Sequence, residues 1–239
     1  MDRSTSVTQS NWTEVHSRIL ELEQEGLVTR TFRRLDPGRQ EAILNAILDE
    51  AAEKGPTLLN VKQVAERAGV SVGSLYTYFE SRDGLLAFTV ELCARSANDT
   101  LDRFRFYLLA LPLREALAAY LTGGVEWSRT QMGMIRFLAR AAYEGDPELG
   151  DQIVRPIATA LRGLVRDTLA QAAARGEIQT DVDLEATARI VHVLMHVVGD
   201  SQLLPYLNDY YQVFGESISP GRAEDALLAL IVRGIGTET

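Results

Sequence analysis

The chain has one cysteine, Cys93, in 239 residues, which excludes an intrachain disulfide framework and suits a reducing compartment. It has no apolar run near the ~20 residues needed to cross a bilayer, so no membrane partner is expected. It also lacks a basic-then-apolar leader, so a cytoplasmic location is expected. No stretch alternates apolar and polar residues with β-branched content, which argues against a sheet. There is no phosphate-binding loop or dinucleotide fingerprint, so neither an enzyme nor a bound cofactor is expected. An excess of positive charge is missing too: 24 Lys and Arg stand against 33 Asp and Glu, a net −9. That balance argues against a general nucleic-acid binder.

What is there is helix after helix, organised around Asn60–Arg82. Asn60 caps a first short helix on which Val61, Val64, Ala65 and Ala68 share one face. Gly69 ends it, and Ser71 caps a second helix on which Leu75 and Phe79 lie four apart. Tyr76, Thr77 and Tyr78 then point away from the apolar face, and Val72, Gly73 and Ser74 occupy the leading turn. This layout is a helix-turn-helix, whose second helix enters the DNA major groove by its N-terminal end.

Ala68 to Leu86 resembles the DNA-binding signature of the TetR family of bacterial repressors. Gly69-Val70-Ser71, Gly73, Leu75-Tyr76 and Tyr78-Phe79 fall where that pattern expects them, and Arg82 stands where it usually has Lys. The likeness covers roughly residues 38 to 90 and fades beyond. It implies an all-α fold: an N-terminal three-helix helix-turn-helix domain and a C-terminal helical ligand-binding and dimerisation domain. The expected boundaries are 1–35 for an N-terminal extension with a helix, 36–82 for DNA binding, and 83–239 for effector binding and dimerisation. The resemblance further implies a homodimer that represses from a palindromic double-stranded DNA operator and is released by a small, mostly apolar effector. Carried over residue by residue, the DNA contacts are Lys62, Ser71, Val72, Gly73, Ser74, Tyr76, Thr77, Tyr78 and Arg82. Val72 departs from the polar residue often found at its position, which leaves the operator sequence open.

Charge distribution agrees only in part. Residues 30–82 hold eight bases and seven acids, +1, whereas residues 83–239 hold 14 bases and 21 acids, −7. Weak non-specific binding, with two half-sites docked by a dimer, follows from that balance. The run Thr29-Arg30-Thr31-Phe32-Arg33-Arg34 reads either as an arm reaching phosphates or the minor groove, or as a solvated connector. Before it, Trp12, Val15, Ile19 and Leu22 predict a helix over residues 11–25. Asp36 and Pro37 open the helix that buttresses the motif.

Beyond Pro112, helices are expected over residues 113–127, 131–143, 147–175, 183–198 and 221–232, with Gly123-Gly124 and Gly199-Asp200 among the breakers and a kink or a break at Pro156. Residues 190–198 and 226–232 are apolar nearly all round, so those helices must be buried in the domain or against a partner. In the resembled family the last two long helices pair across a twofold axis. Phe104, Tyr107, Trp127, Met132, Met134, Phe137 and Tyr143 are the candidate effector lining, against the plain alternative of core packing. His192 and His196, four apart, join them as a pair able to hold an effector's polar end. As a metal site the pair lacks the partnering Glu of the zinc-protease pattern, and no metal is expected. The competing reading of the whole chain is a helical module that binds a small molecule or a protein and no DNA.

Overall fold

The computed structural model describes residues 15 and 17–237. Trp12 and His16 lie outside the described residues. Packing divides the chain into two compact units, one running to Asp99 and including Gly133–Ile157, the other comprising Thr100–Met132 and Ala158 onward. No strand forms among the described residues; two isolated bridges pair Ile178 with Gly236 and Gly215 with Ile218.

In the first unit, helix α1 covers 17–24 and buries Ile19 and Leu22, the two described positions of the expected apolar stripe that face inward completely. The basic run that follows is folded rather than an open connector. It makes a helical turn, α2 (Arg30–Arg33), with Phe32 fully buried. Helix α3 (Pro37–Lys54) starts as expected, with the Asp36 carboxylate accepting from the Arg39 N–H at 3.0 Å and Pro37 at the first position. Its apolar stripe, Ile43, Leu44, Ile47 and Ala51, is buried. Helices α4 (Val61–Ala68) and α5 (Val72–Phe79) form the helix-turn-helix, and α6 (Arg82–Leu109) follows.

In the second unit, α7 (Leu113–Thr130) runs straight through Gly123-Gly124, where a break was expected. A Cβ at Gly123 would stand 2.9 Å from the Phe104 ring, so this glycine serves a close helix contact. From Gly133 to Ile157 the chain belongs to the first unit again, beginning with α8 (Met132–Glu144). The long helix expected from Pro147 is interrupted. A short α9 (Pro147–Leu149) leads into a π-helical turn, Gly150–Val154, and α10 (Arg155–Ala174) begins one residue before Pro156. Proline has no N–H to donate, and the first turn is where that loss is harmless. Helix α11 (Leu184–Leu203) continues through Gly199-Asp200, another expected break, and α12 (Pro205–Tyr211), which the sequence reading did not foresee, precedes α13 (Pro220–Ile235).

The core of this unit is built from Leu113, Leu117 and Leu121 of α7, Val165 and Leu169 of α10, Val191 and Met195 of α11, and Leu228 and Ile231 of α13. Arg175 fastens the turn between α6 and α7 by donating to the Leu109 and Leu111 carbonyls at 3.1 and 2.7 Å. Burial of α11 and α13 is one-sided: Ile190, Val193 and Leu230 are 62, 54 and 66% exposed.

Candidate nucleic-acid interface

The two short helices are fixed by local bonds that the sequence dictates. The Asn60 side chain accepts from the Lys62 and Gln63 N–H groups at 3.0 and 3.4 Å. Gly69 closes α4 with φ 64°, a left-handed conformation that a side chain disfavours. Ser71 Oγ accepts from the Ser74 N–H at 3.0 Å and lies 2.8 Å from Ser74 Oγ, so the two hydroxyls brace one another at the head of α5. Leu75 and Phe79 turn into the core at 1 and 2% exposure. On the outer side Lys62, Ser71, Gly73 and Thr77 are exposed, and Ser74 is half-buried. Val72 and Tyr76 are 36 and 46% exposed, and Thr77 Oγ1 donates to the Gly73 carbonyl at 2.9 Å. The leading turn of α5 thus offers hydroxyls and free backbone donors to solvent, the arrangement by which a helix start binds phosphate.

Two carried-over residues sit otherwise than expected. Tyr78 does not point away from the apolar face. It is buried, its ring centroid 5.8 Å from that of Phe32 and 6.2 Å from that of Phe79. The reason is that Phe32 supplies a second apolar surface on the far side of α5, and neighbours in sequence gave no sign of it. Arg82, expected as a phosphate anchor, donates through Nε to the Leu59 carbonyl at 3.0 Å and through Nη2 to the Thr57 carbonyl. Its Nη1 bonds Asp83 at 3.1 Å. The guanidinium therefore ties the turn before α4 to the head of α6.

Support comes from residues that sequence reading passed over. The Thr29 N–H donates to the Tyr78 carbonyl and Thr29 Oγ1 to the Thr77 carbonyl, both at 2.9 Å, which satisfies carbonyls at the end of α5. Phe32 packs among Tyr78, Phe79 and Phe88 with centroids 5.1–5.8 Å away. Buried Gln40 donates to the Phe32 and Arg33 carbonyls and closes α2. Arg67 of α4 grips Glu53 of α3 at 2.6 and 3.0 Å and lies 3.3 Å from Glu50, which is 1% exposed. A lone aromatic in a basic run, Phe32, was the one available signal for this framework.

Helix α1 is pinned to α6. Arg18 holds Asp99 with bonds of 2.5–2.8 Å, and Arg95 holds Glu25 with bonds of 2.6 and 2.7 Å. Hydrogen bonding to Arg95 keeps the Glu25 carboxyl below its ordinary range. Helix α8 meets α3 in the same unit: a Cβ at Gly133 would stand 3.3 Å from Leu48, and Glu144 lies against Gly55 and Thr57.

The candidate effector residues divide between the units: Phe104, Tyr107, Trp127 and Met132 in one, Met134, Phe137 and Tyr143 in the other. Met134 and Phe137 are buried core, at 5 and 0% exposure, whereas Tyr107 and Tyr143 are 56 and 64% exposed. The histidines do come together with other groups. The His192 and His196 rings meet edge to face at 4.5 Å, His196 Nε2 is 3.3 Å from the Tyr120 hydroxyl, and His196 Nδ1 is 3.9 Å from Asp200. His192 Nδ1 is buried without a partner among the described residues. Burial first, then repulsion by His196 and Arg162, lowers the His192 pKa to about 4, so the ring is neutral. No cluster of three or more metal-ligating side chains forms among the described residues.

Residues 43–87 match the family model described as bacterial regulatory proteins, tetR family. A TetR-family transcriptional regulator from Rhodococcus sp., itself described as putative, is 27% identical over 81% of this chain and 96% of its own, with a TM-score of 0.54. The transcriptional regulator FadR from Bacillus subtilis, solved in complex with stearoyl-CoA, is 18% identical over 82% of this chain and 99% of its own, with a TM-score of 0.60. The fatty acid degradation regulator FadR from Bacillus halodurans is 14% identical over 84% of this chain and 98% of its own, with a TM-score of 0.63. The last two share the fold. No curated protein matches the chain.

Proposed function

We infer that this chain, a TetR-family DNA-binding transcriptional regulator by its helix-turn-helix and its fold, represses transcription in the cytoplasm as a homodimer on a palindromic operator. The observation that carries the reading is the head of α5. Its capped leading turn is open to solvent while Leu75, Tyr78 and Phe79 lock its other face into the core. Ser71, Ser74 and the backbone of Gly73 would take phosphates, Val72 and Thr77 would meet base edges, and Lys62 and Tyr76 would reach the flanking backbone. Arg82 acts through the turn it holds, and Tyr78 through packing. The homodimer reading rests on the apolar outer residues of α11 and α13: Ile190, Val193 and Leu230 keep more than half of their surface in water, and burying the rest is worth on the order of 1–2 kcal/mol each.

Release is assigned to a small, mostly apolar effector bound outside the helix-turn-helix. Helices α6 and α8 both engage the DNA-binding unit and are the elements through which its occupancy would be felt. The ligand named for the Bacillus subtilis neighbour, stearoyl-CoA, fits an apolar effector class.

The experiment is selection of random duplex DNA on the purified full chain, followed by sequencing. A palindromic motif is expected. No enrichment at low salt, with or without added cell extract, would overturn the DNA-binding reading.

A further inference from the structure

Helix α2 is the part of the DNA-binding unit that the recognition helix alone does not explain. Residues 30–39 hold four bases, Arg30, Arg33, Arg34 and Arg39, and one acid, Asp36, in a chain of net charge −9. Asp36 is committed to capping α3, and Arg33 is paired with Glu23. Arg30 and Arg34 are exposed and stand four apart, so they share a face of the helical turn. That turn is not free to wander. Thr29 is bonded to the Thr77 and Tyr78 carbonyls, Phe32 is locked among three aromatic rings, and Gln40 closes the end.

Dimensions say what lies beside it. An eight-residue helix such as α5 is ~12 Å long at ~1.5 Å per residue. The major groove is ~12 Å wide. With the head of α5 at the base edges, its tail reaches a groove wall, where the phosphates run. We propose that Arg30 and Arg34 are a second DNA contact, gripping the phosphate backbone that flanks each half-site. This rests on the DNA-binding reading and extends its footprint. The contact carries no sequence information and supplies positive charge that the nearly neutral helix-turn-helix lacks.

The test compares the full-length protein with an Arg30→Ala/Arg34→Ala variant on the selected operator, by binding across a salt series and by hydroxyl-radical footprinting. Each lost phosphate contact lowers the salt slope by ~0.9, hence by up to ~3.6 for a dimer with four such arginines. Protection of the backbone flanking the half-sites should vanish while the palindromic core stays protected. Arg33→Ala serves as the control whose slope should not move, and Arg30→Lys/Arg34→Lys should restore the slope. Circular dichroism melts report that the variants fold. An unchanged slope and footprint in the Ala variant, with wild type bound, would overturn the contact alone. A wild-type protein that selects no operator would overturn the DNA reading, and this contact with it.

Discussion

On the proposed DNA-binding reading, single residues divide into those that would face DNA and those that hold them still. Tyr76 and Tyr78 illustrate the division. Tyr76→Phe removes an exposed hydroxyl and should weaken operator binding without changing stability. Tyr78→Phe keeps the buried ring and should leave stability within ~0.5 kcal/mol, while Tyr78→Ala should lower it by roughly 3 kcal/mol. Thermal melts and operator titrations of the three variants check both statements. Arg67 holds α4 to α3 beside the buried Glu50. Arg67→Met should lower stability by leaving that buried carboxyl without its neighbouring cation, and adding Glu50→Gln should recover much of the loss. Urea midpoints of the two single variants and the double close this cycle. His192 makes a pH prediction. Its folded pKa, about 4, lies below the ordinary value of 6.5, so the unfolded chain binds the proton first as pH falls. The stabilisation is complete above 6.5 and is lost progressively towards 4. His196, Arg162, Asp200 and Tyr120 surround or act on the ring, and His192→Gln should flatten the difference between urea midpoints at pH 7 and pH 5.

At the scale of elements, residues 17–35 brace the helix-turn-helix. Helix α1 and the turn after it are tied to α6 by two arginine–carboxylate pairs, and Thr29, at the head of α2, is bonded to the tail of α5. The pairs are partly exposed and contribute modestly. Burial of Ile19, Leu22 and Phe32 contributes more. Phe32→Ala should cost ~3–5 kcal/mol, and it should increase amide exchange at Tyr78 and Phe79 more than in the second unit. Uniform destabilisation of the whole chain would instead mean that α2 does not specifically support α5.

For the whole molecule, the exposed apolar stripe on α11 and α13 is the quantity that matters. Val193→Asp/Leu230→Asp should give a monomer in sedimentation, with normal helicity and operator affinity reduced by at least ~10-fold, because two half-sites are no longer held together. A variant that stays dimeric would move the interface elsewhere. If an effector releases the operator, the linkage is reciprocal: saturating operator must weaken effector binding by the same factor.

The sequence by itself determined what local physics controls. The caps at Asp36, Asn60 and Ser71, the left-handed Gly69, the inner stripe of α3 and the helical content all follow from bonds and periodicities spanning a few residues. Tertiary structure decided whatever depended on a partner distant in sequence. Gly123 and Gly199 read as breakers until neighbouring helices gave them contacts: Phe104 in one case, Leu121 and Val125 in the other. Tyr78 read as exposed until Phe32, 46 positions away, covered it, and Arg82 read as a phosphate anchor until the Thr57 and Leu59 carbonyls took its donors. An aromatic ring or a guanidinium carries no mark of which surface will meet it, because burial belongs to the pair and is fixed only when the chain brings both members together.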